Sequence, residues 1–293
     1  MIAFENIENQ RQFEQDGYTV IDLLDPNQVE KLRSLYFSTK TVHAVVQEKM
    51  HSTSDTHNVD LILQMNEDIQ RVVSPVLPKQ LKSFDMLIAG FLVKEPGDGS
   101  ETGFHQDPTL VDSMDFVSAN IWIPLQDTNH ENGNLRLVKG SHRLTDMLVV
   151  TPQFPTVHDL FNEQLVEYAT EVPVKAGQAI ILNNKLIHGA SANQTEEERI
   201  AIVMAIKSQA ASWSFHYMDP MAEVKQIEQF RIDTLSFASM KKNQRPEHAE
   251  FIGYVDFDFP QLSYADFKIF MDKNYGTNSL FSRIKRKLAA WIE

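Results

Sequence analysis

Five short β-rich runs constrain the fold of this chain more than any other feature. They are "FDMLIAGFLV" (84–93), "SANIWIPL" (118–125), "NLRLV" (134–138), "QAIIL" (178–182) and "RIAIVMAI" (199–206). Each has the length and the apolar, β-branched character of a strand, and Gly, Pro, Asn and Asp punctuate the stretch between them. Strands repeated in this way over about 84–218 predict a sandwich or barrel such as a jelly roll. The first 80 residues read differently, as mostly helical. In "LLDPNQVEKLRSLYF", Asp25 is the N-cap, Pro26 takes the first helical position and Gln28 stands three residues after the cap. Val29, Leu32, Leu35 and Tyr36 then recur at helical spacing. A second helix is expected within 60–75, and "DGYTVIDLL" reads as a short strand after a glycine turn. Past 218, helical pieces are expected near 220–233 and 262–273. No linker or internal repeat is visible, and 293 residues fit one large β domain as well as two. The expectation is a single domain over 1–293: N-terminal helices at about 1–80, a jelly-roll core at about 81–218, and C-terminal helical additions at about 219–293.

Composition narrows the chemistry. Apolar residues make up 42%, with 18 Phe, enough for a sizeable core. A net charge of −13 repels phosphate backbones and argues against nucleic acid as a partner. No run of apolar residues is long enough to span a bilayer, and "MIAFENIENQ" lacks the features of a signal peptide. Cysteine is absent, so disulfides, zinc–thiolate sites and thiol nucleophiles are excluded. A cytoplasmic location is expected, and any metal must be held by His, Asp or Glu.

"ETGFHQDPT" (101–109) places His105 and Asp107 two apart, on one face if the segment is a strand. With 10 His in the chain, such a pair is also expected by accident. A third candidate follows in "NNKLIHGASANQTEEERIAIVMAI", where His188 is expected to end an apolar strand and Arg199 to stand near the start of the next. Two histidines and a carboxylate form the facial triad of non-heme Fe(II) oxygenases, which leaves coordination positions open. Alternation from Arg199 puts Ala201 and Val203 on its face, and the planar guanidinium fork matches the carboxylate of an anionic co-substrate. Asn120, Trp122 and Pro124 likewise share one strand face. Taken singly, each residue has an ordinary role: a strand-end histidine for His188, a partner of Glu196, Glu197 or Glu198 for Arg199, core packing for Trp122. His130 in "NHENGN" and His142 in "KGSH" read as turn residues, and the aromatics of "WSFHYMDP" (213–220) as core.

At these residues the sequence resembles the phytanoyl-CoA dioxygenase family of Fe(II)/2-oxoglutarate oxygenases. The motifs are "HQD" (105–107), "HGASANQTEEER" (188–199) with Ser191 and Asn193, and "SANIWIPLQDTNHENGNLRLVKGSHRL" (118–144); the opening "FEQDGYTVIDLLDPNQVEKLR" is similar too. The likeness runs from about 13 to 210. It implies a mainly β fold with helical additions (α+β), built on a double-stranded β-helix, a cupin-like jelly roll. It implies that His105, Asp107 and His188 bind Fe(II), that Arg199 binds the distal carboxylate of 2-oxoglutarate, and that Trp122 lies beside that co-substrate. Thr102 is a looser candidate for a second carboxylate contact, and Gln106 and Asn120 are candidates for the substrate pocket. "VKGSH" lacks the proline common in the family, and Ala190 stands where Ser is frequent; neither touches the metal positions. Related halogenases replace the carboxylate by a small residue, so the resemblance at Asp107 favours hydroxylation or another oxidation.

The reaction implied is hydroxylation of an unactivated C–H of a small-molecule or lipid-like substrate by O2 and 2-oxoglutarate, with release of succinate and CO2. The rival reading is a metal-binding jelly-roll protein of cupin type that regulates or binds without catalysis. A separate expectation concerns "LFSRIKRKLAAWIE" (280–293). Leu280, Ile284, Leu288 and Ile292 form an apolar stripe beside Arg283, Lys285, Arg286 and Lys287. Such a helix either covers the core or contacts an anionic membrane surface.

Overall fold

The computed structural model describes residues 2–43, 48–144, 147–152, 157–222, 226–256 and 263–275. The chain opens with β1 (Ala3–Phe4), α1 (Ile7–Asp16), β2 (Tyr18–Asp22) and α2 (Pro26–His43). Local chemistry sets these boundaries. Asn6 caps α1 by accepting from the N–H groups of Glu8 and Asn9, and Gly17, at φ 84°, ends it in the left-handed region. At the start of α2, the Gln28 N–H donates to the Asp25 carboxylate and the Gln28 side chain accepts from the Asp25 N–H, each at 2.9 Å. This is the reciprocal cap that the sequence predicts.

Next come β3 (Met50–Ser52), α3 (Val59–Val73), β4 (Leu81–Lys82), β5 (Phe84–Lys94), β6 (Thr102–His105), β7 (Ser118–Pro124) and β8 (Leu135–Val138). The chain continues through α4 (Val157–Tyr168), β9 (Ala169–Val172), β10 (Gln178–Asn183), β11 (His188–Ala190) and β12 (Arg199–Ser208). It closes with β13 (Ser214–Tyr217), β14 (Ile227–Arg231), α5 (Thr234–Ala238), β15 (Glu250–Val255) and α6 (Tyr264–Asn274).

Two antiparallel sheets form the core. The larger runs β2-β10-β7-β12-β5-β3 and the smaller β6-β11-β8-β9. Strand alternation divides the larger sheet cleanly. Ile121, Ile123, Ile181, Ile200, Ile202 and Met204 face the helices, packing with Phe13, Leu32, Tyr36, Met65 and Ile69 of α1, α2 and α3. Trp122, Ile180, Leu182 and Ala201 face the other way, toward Leu135, Leu137, Val172 and Ala190 of the smaller sheet. This is the two-layer, mainly β arrangement of a jelly roll with helices laid outside it.

The strand expected in "DGYTVIDLL" is β2, and together with β3 it supplies both edges of the larger sheet. The structure corrects three expectations. His188 opens the short strand β11; the apolar strand before it is β10. The segment near 220–233 is not helical in its described part, since β14 is the central strand of a third sheet, β13-β14-β15. Ile227 and Phe230 stand three apart, a spacing that imitates a helix. They join different apolar clusters, Ile227 with Leu148, Val150 and Met218, and Phe230 with Ile62, Leu87 and Phe215. A strand covered on both faces produces that spacing. The C-terminal additions therefore include a sheet as well as α5 and α6. The amphipathic segment 280–293 lies outside the described residues.

Candidate metal centre

The site lies between the two core sheets. β6 and β11 pair antiparallel with His105 directly opposite His188, and the two imidazoles come within 4.2 Å between ring centroids. Asp107 stands just past the end of β6, where its N–H donates to the Asn184 carbonyl at 2.8 Å. Its carboxylate reaches both rings: Oδ1 lies 3.8 Å from His105 Nε2, and Oδ2 lies 3.7 Å from His188 Nε2. One ligand atom from each of the three residues falls within 4.8 Å of the others, a spacing that can hold a metal ion.

The backbone orients both histidines. Nδ1 of His105 meets the Gly103 carbonyl and Nδ1 of His188 meets the Leu186 carbonyl, each at 2.9 Å. A carbonyl only accepts, so Nδ1 carries a proton and Nε2 is the nitrogen turned to the carboxylate. Asn120 completes this arrangement by donating from Nδ2 to Asp107 Oδ2 at 2.7 Å. The donor set is two imidazole nitrogens and one carboxylate oxygen, which suits a borderline divalent ion such as ferrous iron.

Arg199 begins β12 and is 1% exposed, so the alternative of a solvated partner for the neighbouring glutamates does not hold. Glu198 instead meets Tyr36 and Lys40. The Arg199 guanidinium lies 5.2 Å over the Trp122 ring, and its Nε and Nη1 find no partner among the described residues. Trp122 Nε1 is likewise buried without a partner. Burial lowers the Arg199 pKa to about 9, which leaves it charged at neutral pH. With no anion beside it among the described residues, this buried cation could pair with a bound anion.

A cavity of about 360 Å3 joins these groups, with His105, Asp107, His188, Arg199, Trp122 and Asn120 in its wall. Thr102 lines it too, with its hydroxyl turned to the Met50 sulfur. Gln106 does not. Its side chain points away and donates to the Lys185 carbonyl at 2.6 Å, because alternation sends the residue between His105 and Asp107 to the other side. His130 pairs with Glu171 at the surface, and His142 is buried against the Glu14 carbonyl.

Several contributors carried no local signal. Met50 and Ser52 of β3 and Phe237 of α5 reach the cavity only through packing. Asn184 lines it with an Oδ1 that has no partner among the described residues. Lys94, opposite Arg199 on β5, is fully buried and donates to the carbonyls of Ser100 and Ser191 at 2.5 and 2.8 Å, tying the β6 approach to the β11–β12 loop. Burial first, and the Arg199 charge second, lower the Lys94 pKa to about 7, with Glu101 opposing them.

Comparison with known proteins places this geometry in a family. The phytanoyl-CoA dioxygenase family model matches residues 13–201. A phytanoyl-CoA dioxygenase domain-containing protein 1 from Danio rerio is 30% identical over 132 residues, covering 42% of this chain and 45% of the relative. The dioxygenase olcK of Penicillium canescens is 25% identical over 194 residues, covering 64% of this chain and 58% of its own. The chain thus spans about half the length of the curated relatives it matches. Among solved structures, EctD from S. alaskensis, determined with 2-oxoglutarate and 5-hydroxyectoine, superposes with TM-score 0.51 at 18% identity, covering 71% of this chain and 78% of its own. The α-ketoglutarate-dependent carbocyclase SnoK from nogalamycin biosynthesis gives TM-score 0.50 at 19% identity, covering 71% and 86%. The fold is shared with both, and by the extent of the family match the chain belongs to the phytanoyl-CoA dioxygenase family.

Proposed function

We propose that this protein is an Fe(II)- and 2-oxoglutarate-dependent dioxygenase that hydroxylates a C–H bond of a small-molecule substrate. In the net reaction, one oxygen atom of O2 enters the C–H bond and the other enters 2-oxoglutarate, which leaves as succinate and CO2. The observation that carries this reading is Arg199: a buried guanidinium whose Nε and Nη1 have no partner among the described residues, in the same cavity as a convergent His105–Asp107–His188 set. A protein that held a metal alone would have no use for a buried guanidinium fork.

In this reading His105 and His188 donate from Nε2, and Asp107 supplies one carboxylate oxygen. Held there, ferrous iron would supply the redox chemistry that activates O2 against the keto acid. The residues do the rest. Arg199 pairs with the distal carboxylate of 2-oxoglutarate, Trp122 stacks beside it, and Asn120 fixes the Asp107 rotamer. The apolar wall keeps water from the reacting centre. Asp107 favours hydroxylation over halogenation, because its carboxylate takes the position a halide would need.

The test has two arms. Bound iron is measured in wild type, His105→Ala and His188→Ala; both variants are expected to lose it, and full iron content in both would sink the triad. 2-Oxoglutarate affinity is measured in wild type and Arg199→Met, with an expected loss of about 2–5 kcal/mol. An unchanged affinity removes Arg199 from the role.

A further inference from the structure

The two ends of the cavity differ in chemistry. Along β12 the inward residues run Arg199, Ala201, Val203 and Ala205, roughly 20 Å from first to last at strand spacing. Arg199 and Trp122 mark one end. Asn120, which holds Asp107, lies opposite Ala205 and marks the level of the triad. Beyond it the wall turns apolar, formed by Ile62, Ile88, Leu110, Phe215 and Phe237. Among the described lining residues Arg199 is the one Lys or Arg and Asp107 the one carboxylate. Under the function proposed above, the first is taken by co-substrate and the second by metal. A charge on a third molecule held against this apolar wall would find no opposite charge among the described lining residues, and burying it there is heavily disfavoured. Size acts in the same direction. At about 360 Å3 the cavity is near the lower end of the roughly 300–1,000 Å3 typical of small-molecule sites, and the co-substrate takes a share.

We propose that the end lined by Phe215 and Phe237 takes an uncharged, mainly apolar molecule or moiety, and that these two side chains select it. The inference rests on the function proposed above. Both residues lie past the segment matched by the family model, so the chain's C-terminal part adds them to a wall that Ile62, Ile88 and Leu110 begin. Its placement is specific. The Thr234 hydroxyl donates to the Leu87 carbonyl at 2.9 Å, anchoring α5 on β5, and Asp233 caps α5 through the Ser236 N–H. Phe237 is thereby held over the cavity, while β13 carries Phe215 inward as a buried core residue.

Two probes of equal length and different charge test this, octan-1-ol and octanoate. Binding of 2-oxoglutarate to the manganese-loaded full chain is titrated first, and the probes then with 2-oxoglutarate in excess. Octan-1-ol is expected to bind wild type about tenfold or more tighter than octanoate. Phe237→Arg is expected to reverse the preference, and Phe237→Ala to weaken octan-1-ol about tenfold. Failure of 2-oxoglutarate to bind overturns the parent function and this inference with it. Normal 2-oxoglutarate binding with equal affinity for the two probes, or with a preference unmoved in Phe237→Arg, overturns the substrate class alone. Should Phe237→Arg not fold, Phe237→Ala decides, and undiminished octan-1-ol binding in it refutes the selecting role.

Discussion

Asn120 shows how much a single side chain can matter without touching the reacting atoms. Its amide fixes one oxygen of Asp107, and such partners of metal ligands set ligand orientation. Asn120→Ala is expected to leave the fold intact and to weaken metal binding by roughly 10–100-fold, read by competition with a chelator. His142 serves the fold instead. Burial lowers its pKa to about 4 from an ordinary 6.5, and its Nε2 meets the Glu14 carbonyl. The unfolded chain takes up this proton below about pH 6.5, while the native chain refuses it until about pH 4. Stability therefore falls as pH drops through that window, by on the order of 3 kcal/mol from this group at most. His142→Gln keeps a donor for the carbonyl and removes the titration. Its stability should vary less between pH 6.5 and 4, as measured by denaturant midpoints; a slope equal to wild type would contradict the assignment.

At the scale of elements, the site depends on how closely β11 approaches β6. A Cβ on Gly189 would lie 2.8 Å from the Thr102 carbonyl oxygen and 3.2 Å from that of Gly103. Both are backbone atoms of the strand that carries His105, and backbone cannot swing aside as a flexible side chain can. Gly189→Ala should push the two strands apart. Its expected cost is about 1–3 kcal/mol in stability, with weaker metal binding because His105 and His188 separate. Thermal melting and metal titration of the same variant check both parts. Stability and metal affinity equal to wild type would show that the strands have slack.

At the scale of the molecule, the terminal regions share clusters with the core. Ile232 and Ala238 pack with Ile62, Leu87 and Ile88, and Phe267 and Met271 of α6 pack with Phe104, Val138 and Ile187 beside the metal-site strands. A single cooperative unfolding transition is therefore expected for the whole chain, in keeping with one domain over 1–293. Removal of residues 219–293 should lower the melting temperature and loosen the site, not leave a stable jelly roll. Two separate transitions in calorimetry would argue for two units. None of the described helices is long and apolar enough to cross a membrane.

Several parts of this protein were legible in its sequence because they depend on near neighbours. The Asp25–Gln28 cap, the alternation along β12 and the five β-rich runs all follow from local spacing, and each lies where that spacing places it. His105, Asp107 and His188 were singled out for a different reason: the two motifs that carry them resemble those of a known family, and the fold brings these three side chains together. Tertiary structure alone decided what had no local signature. A strand covered on both faces loses its two-residue period, so 227–231 read as helix. Pairing across long sequence separations brought β2 and β3 to the edges of the larger sheet and Phe237 to the cavity. Local periodicity reports which face a residue takes, and long-range packing decides what that face meets.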